Sequence, residues 1–244
     1  MKILLAPSET KNSGGKDKFG IDKLSFDELN NIRELLIDKY NHIVLSKDLS
    51  KIKKLFGLKK DKDIEVYLHN LYNTPTLKAI SRYTGVAFDY LGYNELGYDA
   101  QNYIDNNVII FSNLFGILQA KDLIPNYRLK QGENLDDIKI DTLYKPIITK
   151  ILDKYLEDED ILDIRAIHYN KFYKPSKSYT TLKFLKDGKV VSHWAKAYRG
   201  MVLKELAKNQ ITTIDDFMKL NIDGLSIKEV QQSKNKTEIV YEID

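Results

Sequence analysis

Side chains able to move protons or hold anions fall in three short stretches of the chain. The first, Pro7-Ser8-Glu9-Thr10-Lys11, directly follows an apolar run. It offers two hydroxyls, a carboxylate and an ammonium group, a set that binds an anion or transfers a proton. It is not a phosphate-binding P-loop, because the GxxxxGK(S/T) spacing is missing. The plainer reading is a polar loop with a surface lysine. The second stretch runs from Ser112-Asn113-Leu114-Phe115-Gly116 to Asp122-Leu123-Ile124-Pro125-Asn126-Tyr127-Arg128-Leu129. There Tyr127 brings a phenol and Arg128 a two-pronged donor for phosphate or carboxylate. The alternative is that Asp122 and Arg128 pair with each other and fix the loop. In the third, Ser192 to Gly200, His193 and Lys196 are three apart and share a face of a helical turn, with Arg199 one turn further. Here His193 suits a general base, as Glu9 does in the first stretch, and Lys196 an anion clamp. A structural histidine at a strand end is the competing reading.

Charge and composition add bounds. Between Lys47 and Lys62 stand Lys47, Lys51, Lys53, Lys54, Lys59, Lys60 and Lys62, against Asp48 and Asp61. Such a run either meets a polyanion or forms a solvated helix face. Net charge over the 244 residues is only +3, so polyanion binding has to come from local clusters. The remaining histidines, His42, His69 and His168, lack metal-ligand spacing, and the absence of cysteine excludes disulfides and thiol catalysis. Neither a metal nor a cofactor is expected. The 16 tyrosines either stack on bases or pack the core and its rim.

The fold must carry these stretches to one place. Lys2 to Leu5 reads as a buried strand ending at Pro7, and Val108 to Ser112 and Ile161 to Ile164 as strands buried on both faces. Each precedes a polar loop, and in α/β folds ligands bind where loops leave the carboxyl ends of strands. Helical spacing runs from Phe26 to Leu36, with Ser25 and Glu28 as a capping box, and two short helices, Ser46 to Phe56 and Lys62 to Tyr72, flank Gly57. Further helices are expected over Glu95 to Asn106, Thr142 to Leu156 and Ala195 to Ala207. Lys183 to His193 reads as a hairpin around Asp187-Gly188, and Lys228 to Tyr241 as a strand pair turning near Asn235.

A hydrophobic fraction of 43% fills a sizeable core, and no apolar run approaches the ~18 residues of a membrane span. The apolar start is too short for a signal peptide, so a cytoplasmic protein without membrane contact is expected. Without repeats or linkers, residues 1–244 read as one mixed α/β (α+β) domain. It has a central mixed sheet, surrounding helices and residues 40–75 as a helical subdomain.

Taken in order, LLAPSETK, LSFDELNNIRELL, YTGVAFDYLGY, SNLFGILQAKDLIPNYRL, LDIRAIHYNKFYKP and VVSHWAKAYRG resemble the peroxide stress protein YaaA family over nearly the whole chain. The resemblance implies a cytosolic oxidative (peroxide) stress protein that binds DNA, with an α/β fold, a basic cleft and a helix-hairpin-helix element. The cleft would draw on Lys11, Arg128, Lys196 and Arg199, and the hairpin on Leu49 to Leu71, with lysines flanking Phe56-Gly57-Leu58. Where one branch of the family carries Ser-Pro-Ala-Lys in the first loop, this chain has Ala6-Pro7-Ser8-Glu9-Thr10-Lys11: the lysine comes later and a carboxylate intrudes.

Three hypotheses stand at this point. In the first, the protein binds duplex or branched DNA through its phosphates, without sequence preference, using Ser8, Lys11, Lys54, Lys59, Lys60, Tyr127, Arg128, Lys196 and Arg199. In the second, a Glu/His/Lys/Arg site in the same cleft makes it an enzyme of a nucleotide, nucleobase or damaged DNA, with a small anionic ligand and Glu9 or His193 as base. In the third, these residues pair internally and hold an inert fold.

Overall fold

The runs Lys2–Leu5, Val108–Ser112 and Ile161–Asp163 are extended and almost wholly buried, as strands covered on both faces require. The computed structural model describes residues 1–191 and 194–244. Among the described residues the strands are β1 (Lys2–Leu5), β2 (Thr76–Lys78), β3 (Val108–Ser112), β4 (Gly116–Gln119), β5 (Leu123–Pro125), β6 (Ile161–Asp163), β7 (Tyr179–Lys186), β8 (Lys189–Val190), β9 (Leu225–Ser233) and β10 (Lys236–Ile243). They build a mixed sheet of order β4-β3-β1-β6-β7-β10-β9, with β8 folded back on β7, while β2 and β5 pair apart from it.

The inner strands β3, β1, β6, β7 and β10 run parallel. β3 lies on one side of β1 and β6 on the other. The chain therefore changes direction across the sheet at β1, and the loops leaving β1, β3 and β6 open at the same edge. Helices Asn30–Leu45, Tyr98–Asn107, Ile140–Tyr155 and Trp194–Lys208 bury their apolar stripes in a core continuous with the sheet. Among the described residues no helix is long and apolar enough to cross a membrane.

The hairpin between β7 and β8 turns at Asp187 (φ +51°) and Gly188 (φ +71°), the two left-handed positions that an Asp-Gly turn supplies. Three local expectations need correction. Ser25 caps no helix: its N–H and hydroxyl both donate to Asp122 Oδ1 (3.2 and 2.7 Å), Phe26 turns left-handed, and the α-helix starts at Asn30. Asp122 also accepts from the Gln119 N–H, so it pairs with Ser25 and the backbone rather than with Arg128. After Gly57 the α-helix covers only Asp61–Glu65, where helix was expected from Lys62 to Tyr72, and a separate 3-10 turn follows at Leu71–Asn73. Asn70 caps that turn, its side chain accepting the Tyr72 N–H, and Asn41 accepts the Leu71 N–H.

Gly200 lies where helix Trp194–Lys208 crosses the short helix Val86–Leu91. A Cβ there would run into the Ala87 carbonyl, so only glycine allows this approach. Gly200→Ala is expected to destabilise the fold by about 1–3 kcal/mol, measured by urea denaturation, because backbone rather than a mobile side chain must move.

Candidate functional site

Buried guanidinium groups hold each loop at the sheet edge. Arg82 is fully buried and donates to the carbonyls of Asn12, Gly14, Pro75 and Ile124, which pins the loop after β1. That loop also runs antiparallel to residues 82–84, through Asn12 N–H to the Arg82 carbonyl (2.8 Å) and Thr84 N–H to the Thr10 carbonyl (3.1 Å). Arg33, likewise fully buried, donates to the Phe115 and Ile117 carbonyls and closes the turn after β3. Gly116 makes that turn possible: its φ is +76°, and a Cβ would press on the Tyr144 ring at 2.9 Å. After β6, Arg165 forms a two-pronged pair with Asp163 (2.8 and 2.7 Å) and reaches the Tyr169 and Tyr173 carbonyls.

These loops, joined by the start of helix Val86–Leu91 and by helix Trp194–Lys208, surround a cavity of about 490 Å³. Among the described residues, Lys11, Arg128, Lys196 and Arg199 line it together with a single carboxylate, Glu9. That carboxylate is already engaged: Oε2 accepts from Arg128 Nη2 (3.3 Å) and Oε1 from the Gln131 N–H (3.0 Å). Arg128 also donates through Nε to the Phe56 carbonyl (2.9 Å) and through Nη1 to the Glu9 carbonyl (3.3 Å). That leaves one N–H on each of its terminal nitrogens without a partner among the described residues.

Lys11 is the unusual member. Its Nζ donates to the carbonyls of Ser8 (3.1 Å) and Glu9 (3.4 Å) and lies over the rings of Tyr127 (4.0 Å) and Tyr83 (5.1 Å). Burial first, and then the positive charge of Arg128, hold its pKa well below the ordinary 10.5. Beneath it the Tyr127 hydroxyl is bonded to Ser112 Oγ and to the Tyr83 hydroxyl, both at 2.8 Å. Burial raises the pKa of both phenols, Tyr83 to about 12. Two buried polar atoms on lining residues lack partners among the described residues: Asn113 Oδ1 and Arg199 Nε.

The structure thus brings together Ser8, Glu9, Lys11, Tyr127, Arg128, Lys196 and Arg199. Tyr127 contributes a ring face, its hydroxyl being taken. Lys54, Lys59 and Lys60 stay outside the cavity, exposed around Gly57, with Lys54 3.6 Å from Glu133. Their turn nevertheless abuts the site, since the Arg128 side chain bonds the Phe56 carbonyl and Lys130 packs on Gly57. His193 lies outside the described residues. Asn113 was not among the expected site residues; its place one residue beyond a buried strand was the signal for it. Among the described residues no three His, Asp or Glu side chains cluster as metal ligands.

The sequence profile of the family described as peroxide stress protein YaaA matches residues 1–231. A protein of Campylobacter jejuni, itself described as uncharacterized, is 43% identical over 244 residues, covering 100% of this chain and 99% of its own. UPF0246 proteins of Corynebacterium efficiens (34% identical, covering 85% of each chain) and Fusobacterium nucleatum (29% identical, 96% of this chain and 97% of that one) are also similar.

Two measurements probe the site's electrostatics. Arg128→Lys is expected to cost about 1–3 kcal/mol in urea denaturation, because an ammonium group cannot reach the Phe56 carbonyl and Glu9 together. For Lys11, a folded-state pKa below the unfolded value means that the unfolded chain binds more protons in the interval between them. The penalty is complete below the lowered pKa, shrinks as pH rises and vanishes above 10.5. The stability of the wild type relative to Lys11→Met is therefore expected to rise with pH in that window, by at most about 1.4 kcal/mol per pH unit.

Proposed function

This chain belongs to the YaaA family of peroxide stress proteins, and on that premise we propose that it is a cytoplasmic protein that binds DNA without sequence preference, by its phosphates. The observation that supports this most is the charge of the cavity wall: four cationic side chains against one carboxylate, and that carboxylate spent on Arg128. An unneutralised concave surface of this kind attracts phosphate. Lys196 and Arg199 meet the ligand from helix Trp194–Lys208, and Arg128 and Lys11 from the loops. On this reading helix Leu49–Phe56, the left-handed Gly57 and helix Asp61–Glu65 serve as a helix-hairpin-helix-like element. It offers Lys54, Lys59 and Lys60 to the backbone on either side of the cavity mouth.

A second reading has a specific observation in its favour. A surface that only tracks phosphates needs no concave cavity of about 490 Å³ with a half-buried lysine in its wall. This concavity favours a site that takes a discrete small anion, as an enzyme of nucleotides, nucleobases or damaged DNA does.

Fluorescence anisotropy with a labelled duplex separates a phosphate-binding protein from an inert fold. Affinity is expected to fall by about three to four powers of ten between roughly 50 and 200 mM salt, and Lys196→Ala to reduce the slope of log K against log salt by about 0.9. Binding that is undetectable at low salt, or indifferent to salt, overturns the proposal.

A further inference from the structure

Lys11 differs from the other cations of the cavity in what surrounds its terminal nitrogen. Two backbone carbonyls accept from it, two aromatic rings flank it, and the Glu9 carboxylate turns away to Arg128 and the Gln131 N–H. A lysine that serves only as a phosphate clamp keeps its ammonium group hydrated at the end of a mobile stem. Here the stem is half-buried and the nitrogen is held at a fixed point of an enclosed wall, with a guanidinium as its charged neighbour. An amine desolvated against aromatic rings and beside another cation is the arrangement that makes lysine a nucleophile.

We propose that Lys11 Nζ condenses with the aldehyde of an open-chain sugar that carries a phosphate, with Lys196 and Arg199 seating the phosphate. The amine lone pair forms the new C–N bond while the carbonyl π pair moves to oxygen. A proton passes from nitrogen to that oxygen, giving a carbinolamine, and loss of water leaves a C=N bond. No electrons are exchanged with any other reactant, and water reverses the step. The cavity, about 490 Å³, admits a sugar phosphate, and Lys196 and Arg199 line it together with Lys11. The lowered pKa of Lys11 agrees with this placement, because more neutral amine is present at a given pH than on a surface lysine; the Tyr127 face offsets part of that shift. The phosphate seat rests on the anion-binding reading of the cavity given above.

The aldehyde has two sources, a free sugar phosphate or the opened sugar of an abasic site in DNA, and the experiment has an arm for each. Intact protein is incubated with glyceraldehyde 3-phosphate or with a duplex bearing one abasic site, in the presence of sodium cyanoborohydride, and the adduct is located by peptide mass mapping. The expected result is a single saturable adduct on Lys11 in one arm or both, suppressed by excess inorganic phosphate and absent from Lys11→Arg. Mapping the wild-type protein makes the result independent of whether that variant folds. If Lys11 is unmodified in both arms, or reacts no faster than the exposed lysines, the proposal is overturned. Salt-dependent duplex affinity without a Lys11 adduct removes the amine chemistry alone. A Lys11 adduct without duplex affinity removes the DNA reading and leaves the amine chemistry in place.

Discussion

A guanidinium group taken out of water has to find acceptors for its N–H groups, and this fold answers that need with loop carbonyls. Arg33, Arg82 and Arg165 are buried, and each spends its donors on the backbone of a segment that leaves the sheet edge. Loop backbone has few internal hydrogen bonds, so a charged donor that satisfies several carbonyls at once replaces what a helix or a ladder would supply. The loops after β1, β3 and β6 are therefore tied to the packed core by these donors, and the cavity lies between them.

The cavity's charge follows from the same economy. Glu9 and Arg128 pair across the wall, and Arg128 also ties down the end of helix Leu49–Phe56 through the Phe56 carbonyl. The carboxylate that intrudes into the first loop is thus a positioning group for Arg128. Its engagement leaves Lys11, Lys196 and Arg199 without an ion-paired carboxylate among the described residues of the cavity wall, and the proposed anion binding rests on this excess. The fully buried Arg82 lies under the loop that carries Lys11, adding positive charge where a carboxylate would have been easier to accommodate.

Within this wall the cations divide by hydration. Lys196 is exposed and Lys54, Lys59 and Lys60 surround an exposed turn, so their charges act over a distance set by ionic strength. Lys11 and Arg199 are desolvated, and their pKa values are lowered by burial. The exposed set suits attraction and release of a polyanion. The buried pair suits a discrete group brought close.

The sequence by itself determined the strands and much of the site's membership. Val108 to Ser112 and Lys2 to Leu5 are continuous apolar runs with no helical period, and only a strand covered on both faces buries every side chain of such a run. The polar loops that follow them marked Ser8, Glu9, Lys11 and the Ser112 region, and the ordered motifs pointed to the family. What only the tertiary structure decided was partnership. Glu9 and Arg128 are separated by 118 intervening residues and meet where Arg82 ties the loop after β1 to β5 through the Asn12, Gly14 and Ile124 carbonyls, which no local pattern encodes. Asp122 lies much nearer Arg128 in the chain, yet it turns to Ser25, since a buried carboxylate takes whichever N–H and O–H donors the packed fold leaves beside it. The helix expected through Tyr72 ends at Glu65, and the chain turns again at Leu71–Asn73, where Asn41 and Asn70 accept the Leu71 and Tyr72 N–H groups. Residue types and spacing state which groups are available; the sheet order decides which of them lose water together, and desolvation sets their chemistry.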